Sequence, residues 1–175
     1  KGGKHAYMLL EECVPPVPDI TKDEALARLA RNYFRSHTPD TLQDFVWWSG
    51  LSVMEAKQGI YLIGCELTEE QWKGQTWYLH ESGRTRGSIK GHIQFLPPYD
   101  ELLLGYKDRT DVLPSEHYSK AFTGNGLFFP VILYEGQIVG NWDRKVKRNG
   151  CAPEYSLFRQ ESRIDEALLD KAQQQ

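Results

Sequence analysis

Cysteine is scarce in this 175-residue chain, which has three thiols: Cys13, Cys65 and Cys151. Their number is odd and their spacing is wide, and they form neither a C-x-x-C pair nor a Cys/His cluster. The sequence therefore indicates neither a disulfide framework nor a zinc site. We predict plain buried thiols, and we expect no metal or other cofactor.

Long apolar runs are also absent. No stretch reaches the roughly 18 apolar residues that indicate a transmembrane helix, and no charged segment followed by an apolar core suggests a secretory signal. We therefore expect a cytoplasmic protein. The chain begins with Lys1 rather than Met and leads into a strand-like segment at 7–10. We expect residues 1–20 to be a lead-in strand and linker from a longer protein.

An excess of basic charge is missing too. The formal net charge is -3 and the pI is about 6.0, whereas a stand-alone nucleic-acid binder usually carries a basic excess. The charge is uneven, however, because basic residues outnumber acidic ones between Arg84 and Gly150. An anionic partner should therefore contact the second half of the chain. The alternative is a solvated surface with a random local imbalance.

No spacing of Ser, Cys, His and Asp indicates a nucleophilic triad, and no phosphate loop or nucleotide fingerprint is present. His92 and Gln94 form a His-x-Gln pair that has a catalytic interpretation. Alternation with Ile93 and Phe95 instead favours one face of a β-strand. The sequence by itself therefore leaves enzymatic activity open.

The sequence predicts three helices, at about 21–37, 41–49 and 52–63. Each helix begins at a Ser or Thr that is followed three residues later by Glu or Asp, the spacing of a capping box. Pro39 ends the first helix, because the residue before a proline is biased away from the helical conformation. Gly50 ends the second helix, since glycine readily adopts the left-handed conformation of a helix stop.

Two β-prone segments follow the helices, at 65–67 and 76–79, with the polar pair Lys73-Gly74 between them. Three helices and a two-stranded ribbon are the plan of a winged helix-turn-helix. We assign this domain to residues 21–82.

In a winged helix-turn-helix, the third helix can enter the major groove of DNA. Here that helix would present Lys57, Gln58 and Tyr61 as candidate DNA-binding residues. A transcription regulator without catalysis is therefore one interpretation, although a single basic residue on this helix weakens it. A protein-interaction module is another, for which the acidic first half would suffice.

The second half, residues 83–175, contains mostly strand signals. A strand at 92–96 ends at two prolines, a hairpin turns at Glu135-Gly136, and another strand lies at 155–158. Apolar residues at helical spacing predict a terminal helix over 164–172. The expected fold class is α+β: a winged helix-turn-helix followed by a mostly antiparallel, β-barrel-like domain with a C-terminal helix.

The segment Gly105–Arg109 combines aromatic, basic and acidic groups beside a flexible glycine. Lys107 and Arg109 are candidate phosphate contacts, with Asp108 orienting them. The alternative is a surface ion-pair network.

A strip of basic residues follows the predicted hairpin and ends at the turn signal Asn149-Gly150. A β-ribbon with a cationic tip can lie along a phosphate backbone and release counterions. The candidate DNA-binding residues of this strip are Arg144, Lys145, Lys147 and Arg148.

Three motifs give the chain a resemblance to one family: LQDFVWWSGL at 42–51, LPPYDELLLGYKDR at 96–109, and FPV followed by VGNW within 129–142. The chain resembles the AlkZ/YcaQ-type winged-helix DNA-binding proteins, which are bacterial DNA glycosylases and their relatives. The resemblance implies a C-terminal portion, made of the last winged helix and a β-barrel.

The resemblance also implies partners and chemistry. The expected partners are double-stranded DNA with alkylated or crosslinked bases and the upstream winged helices of the same chain. In characterised members, a catalytic Gln-x-Gln or Gln-x-Asp motif lies in the N-terminal part, which the match does not include. Because His92-Ile93-Gln94 immediately precedes the LPPYD motif, it lies in the wrong position, and we assign it no catalytic role.

Overall fold

The computed structural model describes residues 7–16, 18–83, 87–147 and 150–159, with the backbone alone for 144–147 and 150–153. These residues form a mixed α+β fold with one three-stranded and one four-stranded antiparallel sheet. Among them, no helix has the length and apolar character that a membrane crossing requires. The predicted C-terminal helix at 164–172 lies outside the described residues.

The described residues of the first part, 7–16 and 18–83, form four helices and three strands. In chain order they are α1 (Leu10–Cys13), α2 (Lys22–His37), β1 (Asp40–Thr41), α3 (Leu42–Ser49), α4 (Val53–Leu62), β2 (Leu67–Trp72) and β3 (Gln75–His80). A single 3-10 turn, Gly64–Glu66, joins α4 to β2.

Local side-chain bonds explain where the three longer helices begin. The hydroxyl of Thr21 accepts from the backbone N–H of Glu24, and that of Thr41 accepts from Asp44. Ser52 and Glu55 form a complete capping box at the start of α4. Each such cap stabilises a helix by typically about 1 kcal/mol.

The predicted lead-in strand is wrong over the residues that the structure describes. Leu10–Cys13 forms one helical turn instead, and the residues around it are exposed. A strand needs a hydrogen-bonded neighbour, and no described strand pairs with this segment. Glu11 and Glu12 in the first turn are favourably placed for a helix start.

The core of the first part lies between α2, α3 and α4. Its buried members are Ala30, Tyr33, Phe34, Phe45, Ala56, Ile60 and Ile63. Gly59 lets α4 approach α2 closely, because a Cβ at this position would lie 3.1 Å from the carbonyl oxygen of Leu26. The strand β3 closes one side of the core through Tyr78, whose ring lies 5.6 Å from that of Phe34.

The small sheet has the order β1-β3-β2. The strands β2 and β3 form a hairpin, with Leu67 opposite His80 and Trp72 opposite Gln75. Lys73 and Gly74 form its two-residue turn, with φ of 49° and 73°, as hairpins of this length prefer. Cys65 and Glu66, which the sequence placed in the hairpin, lie in the preceding 3-10 turn.

The second part of the chain is built on the larger sheet. Its elements are β4 (Ile93–Leu96), α5 (Glu101–Leu104), a 3-10 turn (Ser115–His117), α6 (Tyr118–Ala121), β5 (Val131–Tyr134), β6 (Gln137–Lys147) and β7 (Gly150–Leu157). The hairpin predicted around Glu135-Gly136 is present as the turn between β5 and β6.

The predicted barrel is wrong for the described residues, because the sheet is open. Its four strands have the linear order β4-β5-β6-β7, and β4 and β7 are its two edges. Closure needs every strand to have two neighbours. The edge strand β4 is only four residues long, since Pro97 and Pro98 cannot donate to a ladder.

Apolar residues cover both faces of this sheet. One face packs on Leu103, Leu113 and Ala121, and the other holds Ile132. On the second face, the rings of Phe95 and Trp142 meet edge to face at 5.6 Å. The sheet is therefore the scaffold for the loops that connect it to the first part.

The thiols differ from the prediction. Cys13 and Cys65 are free and exposed rather than buried, because they lie in short helical turns at the surface. The side chain of Cys151 lies outside the described residues. No cluster of three or more potential metal ligands occurs in the part of the chain that the structure describes.

Candidate nucleic-acid interface

Two consecutive tryptophans of α3 hold the first part against α5. The indole N–H of Trp47 donates to the carbonyl oxygen of Leu104 at 2.9 Å, and that of Trp48 donates to the Glu101 carboxylate at 2.6 Å. His37 lies 3.2 Å from the same carboxylate. The Trp48 hydrogen bond is the main reason that the pKa of Glu101 is lowered.

The loop 105–112, which follows α5, makes two further contacts with the first part. The backbone N–H of Lys107 donates to Asp44 at 3.2 Å. The ammonium of Lys73, at the hairpin tip, forms an ion pair with Asp111 at 2.7 Å. The loop is therefore fixed at both ends relative to the helices and the hairpin.

A cavity of about 770 Å³ lies between this loop and the first part. Asp40, Thr41, Gln43 and Asp44 line one side, and Lys73, Gln75 and Trp77 of the hairpin line another. The remaining wall is formed by Leu102 and by the loop residues 106–112.

The two cations predicted from the loop differ in their surroundings. Lys107 is exposed, and its ammonium forms no ion pair with a described residue. Arg109 is half-buried, donates to the carbonyl oxygens of Leu103 and Lys107, and lies 5.3 Å from the Phe122 ring centre. Burial lowers its pKa. Both remain candidate phosphate contacts, and Lys107 is the more accessible.

Asp108 does not orient the two cations in the way that the sequence suggested. Its carboxylate accepts from the backbone N–H and the hydroxyl of Thr110, at 2.9 and 2.7 Å. These bonds lower its pKa. A short Asp side chain at the start of a turn satisfies the nearest backbone donor first, so Asp108 shapes the loop itself.

Asp40 is a buried carboxyl at the base of the cavity, with 1% of its surface exposed. It accepts a short hydrogen bond from the hydroxyl of Tyr33 and another from the backbone of Thr41. Burial raises its pKa to about 7. Burial, with Asp40 and Asp44 nearby, also raises the pKa of Tyr106 to about 12.

The three candidates on α4 lie on its solvent side. Lys57, Gln58 and Tyr61 are all exposed, Tyr61 to 79%, while Ala56, Gly59 and Ile60 face the core. The structure therefore brings the three together on one face. The neighbouring strand β2 exposes Glu69 and Glu70, so this side of the first part is not strongly basic.

The four side chains of the basic strip lie outside the described residues. Arg144, Lys145 and Lys147 are part of β6, which pairs with β7, but their side chains are outside the described residues, as is Arg148 altogether. The strip stays a prediction. His92 and Gln94 are exposed beside and on β4 and do not line the cavity.

Four residues that build this site were not predicted from the sequence: Trp47, Trp48, Asp40 and Asp44. The partners of both indoles lie more than fifty positions away in the chain, so local spacing carries no sign of them. For Asp40 the sequence offers one indication, which is Tyr33, seven residues earlier, whose hydroxyl donates to the Asp40 carboxylate.

The described fold is similar to that of one solved protein. The solved structure of Streptomyces sahachiroi DNA glycosylase AlkZ matches with a TM-score of 0.70, over 86% of this chain and 41% of that chain. The identity between the two is 24%, and this likeness shows the fold alone.

The family follows from the sequence comparison. A family model described as "DNA glycosylase AlkZ-like" matches residues 1–175, and the chain therefore belongs to the AlkZ-like DNA glycosylase family. An interstrand DNA cross-link repair glycosylase from Streptomyces sahachiroi is 27% identical over 128 residues. That match covers 69% of this chain and 34% of the relative, so the chain spans about a third of the relative's length.

Proposed function

We propose that this chain is a DNA-binding portion of a DNA glycosylase that acts on alkylated or crosslinked double-stranded DNA. Residues 21–82 form its winged helix, and residues 83–175 form a second, strand-rich unit. Upstream winged helices of the same protein are its partners in forming the DNA channel. The cytoplasmic location stays a prediction.

The observation that carries this proposal is the family match over the whole chain. The order of elements supports it. A strand of two residues lies between α2 and α3 and pairs with the β2–β3 hairpin, which gives the helix–strand–helix–helix–hairpin order of a winged helix.

The charges favour the second unit as the side that meets phosphates. Lys107 presents an exposed ammonium on a loop that Asp44 fixes through the backbone. The exposed face of α4 has Lys57 as its cation, with Glu69 and Glu70 exposed on the next strand. We therefore assign the main phosphate contacts to Lys107, Arg109 and the strip 144–148, and weaker polar contacts to Lys57, Gln58 and Tyr61.

A matched pair of charge deletions tests this assignment. Lys107→Gln and Lys57→Gln each remove one exposed ammonium, and duplex binding is measured by fluorescence anisotropy over a range of salt concentrations. Lys107→Gln should weaken binding similarly for all sequences and reduce the slope of log affinity against log salt by about one. Lys57→Gln should change the slope less. A larger effect of Lys57→Gln would place the duplex on α4 instead.

Catalysis needs a separate test. N-glycosidic hydrolysis requires access to the modified nucleotide and a polar group that stabilises positive charge on the sugar. We expect no base release from alkylated or crosslinked DNA by the 175-residue chain, and release by a longer chain that includes an upstream Gln-x-Gln or Gln-x-Asp segment. Both are assayed in single-turnover reactions on the same duplex.

Two outcomes of that assay would change the assignment. Activity of the 175-residue chain that disappears on His92→Ala or Gln94→Ala would make these two residues the site. Inactivity of both chains, with DNA binding retained, would favour a transcription regulator.

A further inference from the structure

The cavity beside the loop 105–112 has the size and lining of a ligand site. Its volume of about 770 Å³ lies within the roughly 300–1,000 Å³ of small-molecule sites. Two aromatic side chains, Trp77 and Tyr106, line it, and each is half-buried. Trp77 is held in place by its indole N–H, which donates to the carbonyl oxygen of Trp72 at 3.3 Å. Aromatic surfaces of this kind can stack on nucleobases.

Two amides in the lining are available for a ligand. Gln43 on α3 and Gln75 on β3 both line the cavity and are exposed. Neither side chain forms a hydrogen bond with a described residue, whereas Gln71 on the same hairpin donates to Thr76 at 2.8 Å. An amide offers two donor hydrogens and one acceptor oxygen, which suits the edge of a base.

Most charged side chains of the cavity lining already bond to other groups of the protein, whereas one is accessible to a ligand. Lys73 pairs with Asp111, Asp108 bonds to Thr110, and Arg109 bonds within its own loop. The ammonium of Lys107 forms no ion pair within the described part of the chain. It is therefore the cation that a phosphate in the cavity would meet first.

Asp44 supplies an acceptor beside the aromatic side chains. One of its oxygens accepts from the Lys107 backbone and the other from the Thr41 hydroxyl. A carboxylate has about four acceptor sites, so both oxygens retain capacity. A carboxylate favours bases with an exocyclic amino group.

From these contacts we infer that the cavity binds a single unstacked nucleotide of the DNA, with preference for an amino-bearing base. The base packs on Trp77 and Tyr106, its polar edge meets Gln43, Gln75 and Asp44, and its phosphate meets the Lys107 ammonium. The inference rests on the proposed DNA-binding function and extends it, because beside the Lys107 phosphate contact one base of the DNA is held away from its neighbours.

The experiment titrates the 175-residue chain with deoxyadenosine, deoxycytidine and thymidine monophosphates, and with inorganic phosphate. Side-chain NMR signals of Trp77, Gln43 and Gln75 report occupancy of the cavity. We expect the adenine and cytosine nucleotides to shift these signals and the thymine nucleotide to bind about fivefold more weakly, as the loss of one hydrogen bond implies.

Matched variants locate the binding. Gln43→Leu and Gln75→Leu keep the approximate side-chain size and should each weaken deoxyadenosine monophosphate binding by about fivefold. Gln71→Leu, which removes an exposed amide of the same hairpin outside the cavity, should leave it unchanged. Circular dichroism of each variant checks that the fold is retained. Equal weakening by all three variants would overturn the inference.

Other outcomes separate this inference from the proposed function. If inorganic phosphate binds as tightly as the nucleotides and base identity has no effect, the cavity is a phosphate site and the inference is wrong. If the chain binds duplex DNA but no nucleotide shifts the cavity signals, the inference fails and the proposed function stands. If the chain binds neither, both fail.

Discussion

Replacing Phe45 with alanine should remove the central ring of the first core. Phe45 has 0% of its surface exposed. Its ring centre lies 4.9 Å from that of Tyr33 and 5.4 Å from that of Phe34, within the range of favourable aromatic pairs. The truncation leaves a cavity between α2, α3 and α4 that backbone elements on all sides prevent from collapsing fully.

The expected cost is about 3–5 kcal/mol, the usual range for a buried phenylalanine. Two aromatic contacts, each contributing roughly 0.5–1.5 kcal/mol beyond area burial, favour the upper half of that range. For a chain of this size, each kcal/mol lowers the melting temperature by about 2–4 °C. The midpoint should therefore fall by about 6–20 °C.

The assay is thermal unfolding followed by circular dichroism, with the free energy taken from urea titration. Met54→Ala is the control, because Met54 lies on α4 with 79% of its surface exposed and should change stability by about 0.5 kcal/mol or less. A Phe45→Ala midpoint no lower than that of Met54→Ala would refute the packing described for α3.

Two further predictions concern backbone conformation and a buried carboxyl. Gly50→Ala should lower the free energy of unfolding in urea by about 1–2 kcal/mol, because φ at Gly50 is +69°. Gly64 also has open space around it but no positive φ, so Gly64→Ala should cost clearly less. Equal costs for the two substitutions would contradict the role of the positive φ. Burial raises the pKa of Asp40 from 3.8 to about 7, so the stabilisation from its protonated form should be complete below about pH 4 and lost as the pH rises through 7. Asp40→Asn should remove this part of the pH dependence. If the free energies of unfolding of the Asp40→Asn variant and the unsubstituted protein run parallel from pH 4 to 8, Asp40 is not the source of that dependence.

The helices of the first part were predictable because their boundaries depend on residues within one turn. Thr21, Ser52 and Gly50 act on backbone groups at most four positions away, and such interactions are visible in the sequence. The conformation of the lead-in segment could not be predicted in this way. Tyr7–Leu10 has the composition of a strand, but strand formation depends on a partner that local sequence does not reveal.

The candidate site was less predictable, because long-range contacts build it. Lys107 and Arg109 were recognisable from their charge and the adjacent glycine. Their different exposures follow from the Leu103 carbonyl and the Phe122 ring, which tertiary packing brings to Arg109. Asp40 follows a proline and has the sequence context of a surface turn, yet it is buried because Tyr33 and β3 cover it.

The hairpin that forms one wall of the cavity is anchored at its base and at its tip. At the base, β1 pairs with β3, with Asp40 opposite Tyr78 and Thr41 opposite Trp77. At the tip, Lys73 reaches across to Asp111. Because the hairpin is held at two points, its outward movement should be smaller than that of a hairpin attached at its base alone. The width of the cavity entrance should therefore change little on binding. A ligand should be selected by its size rather than by closure of the hairpin around it.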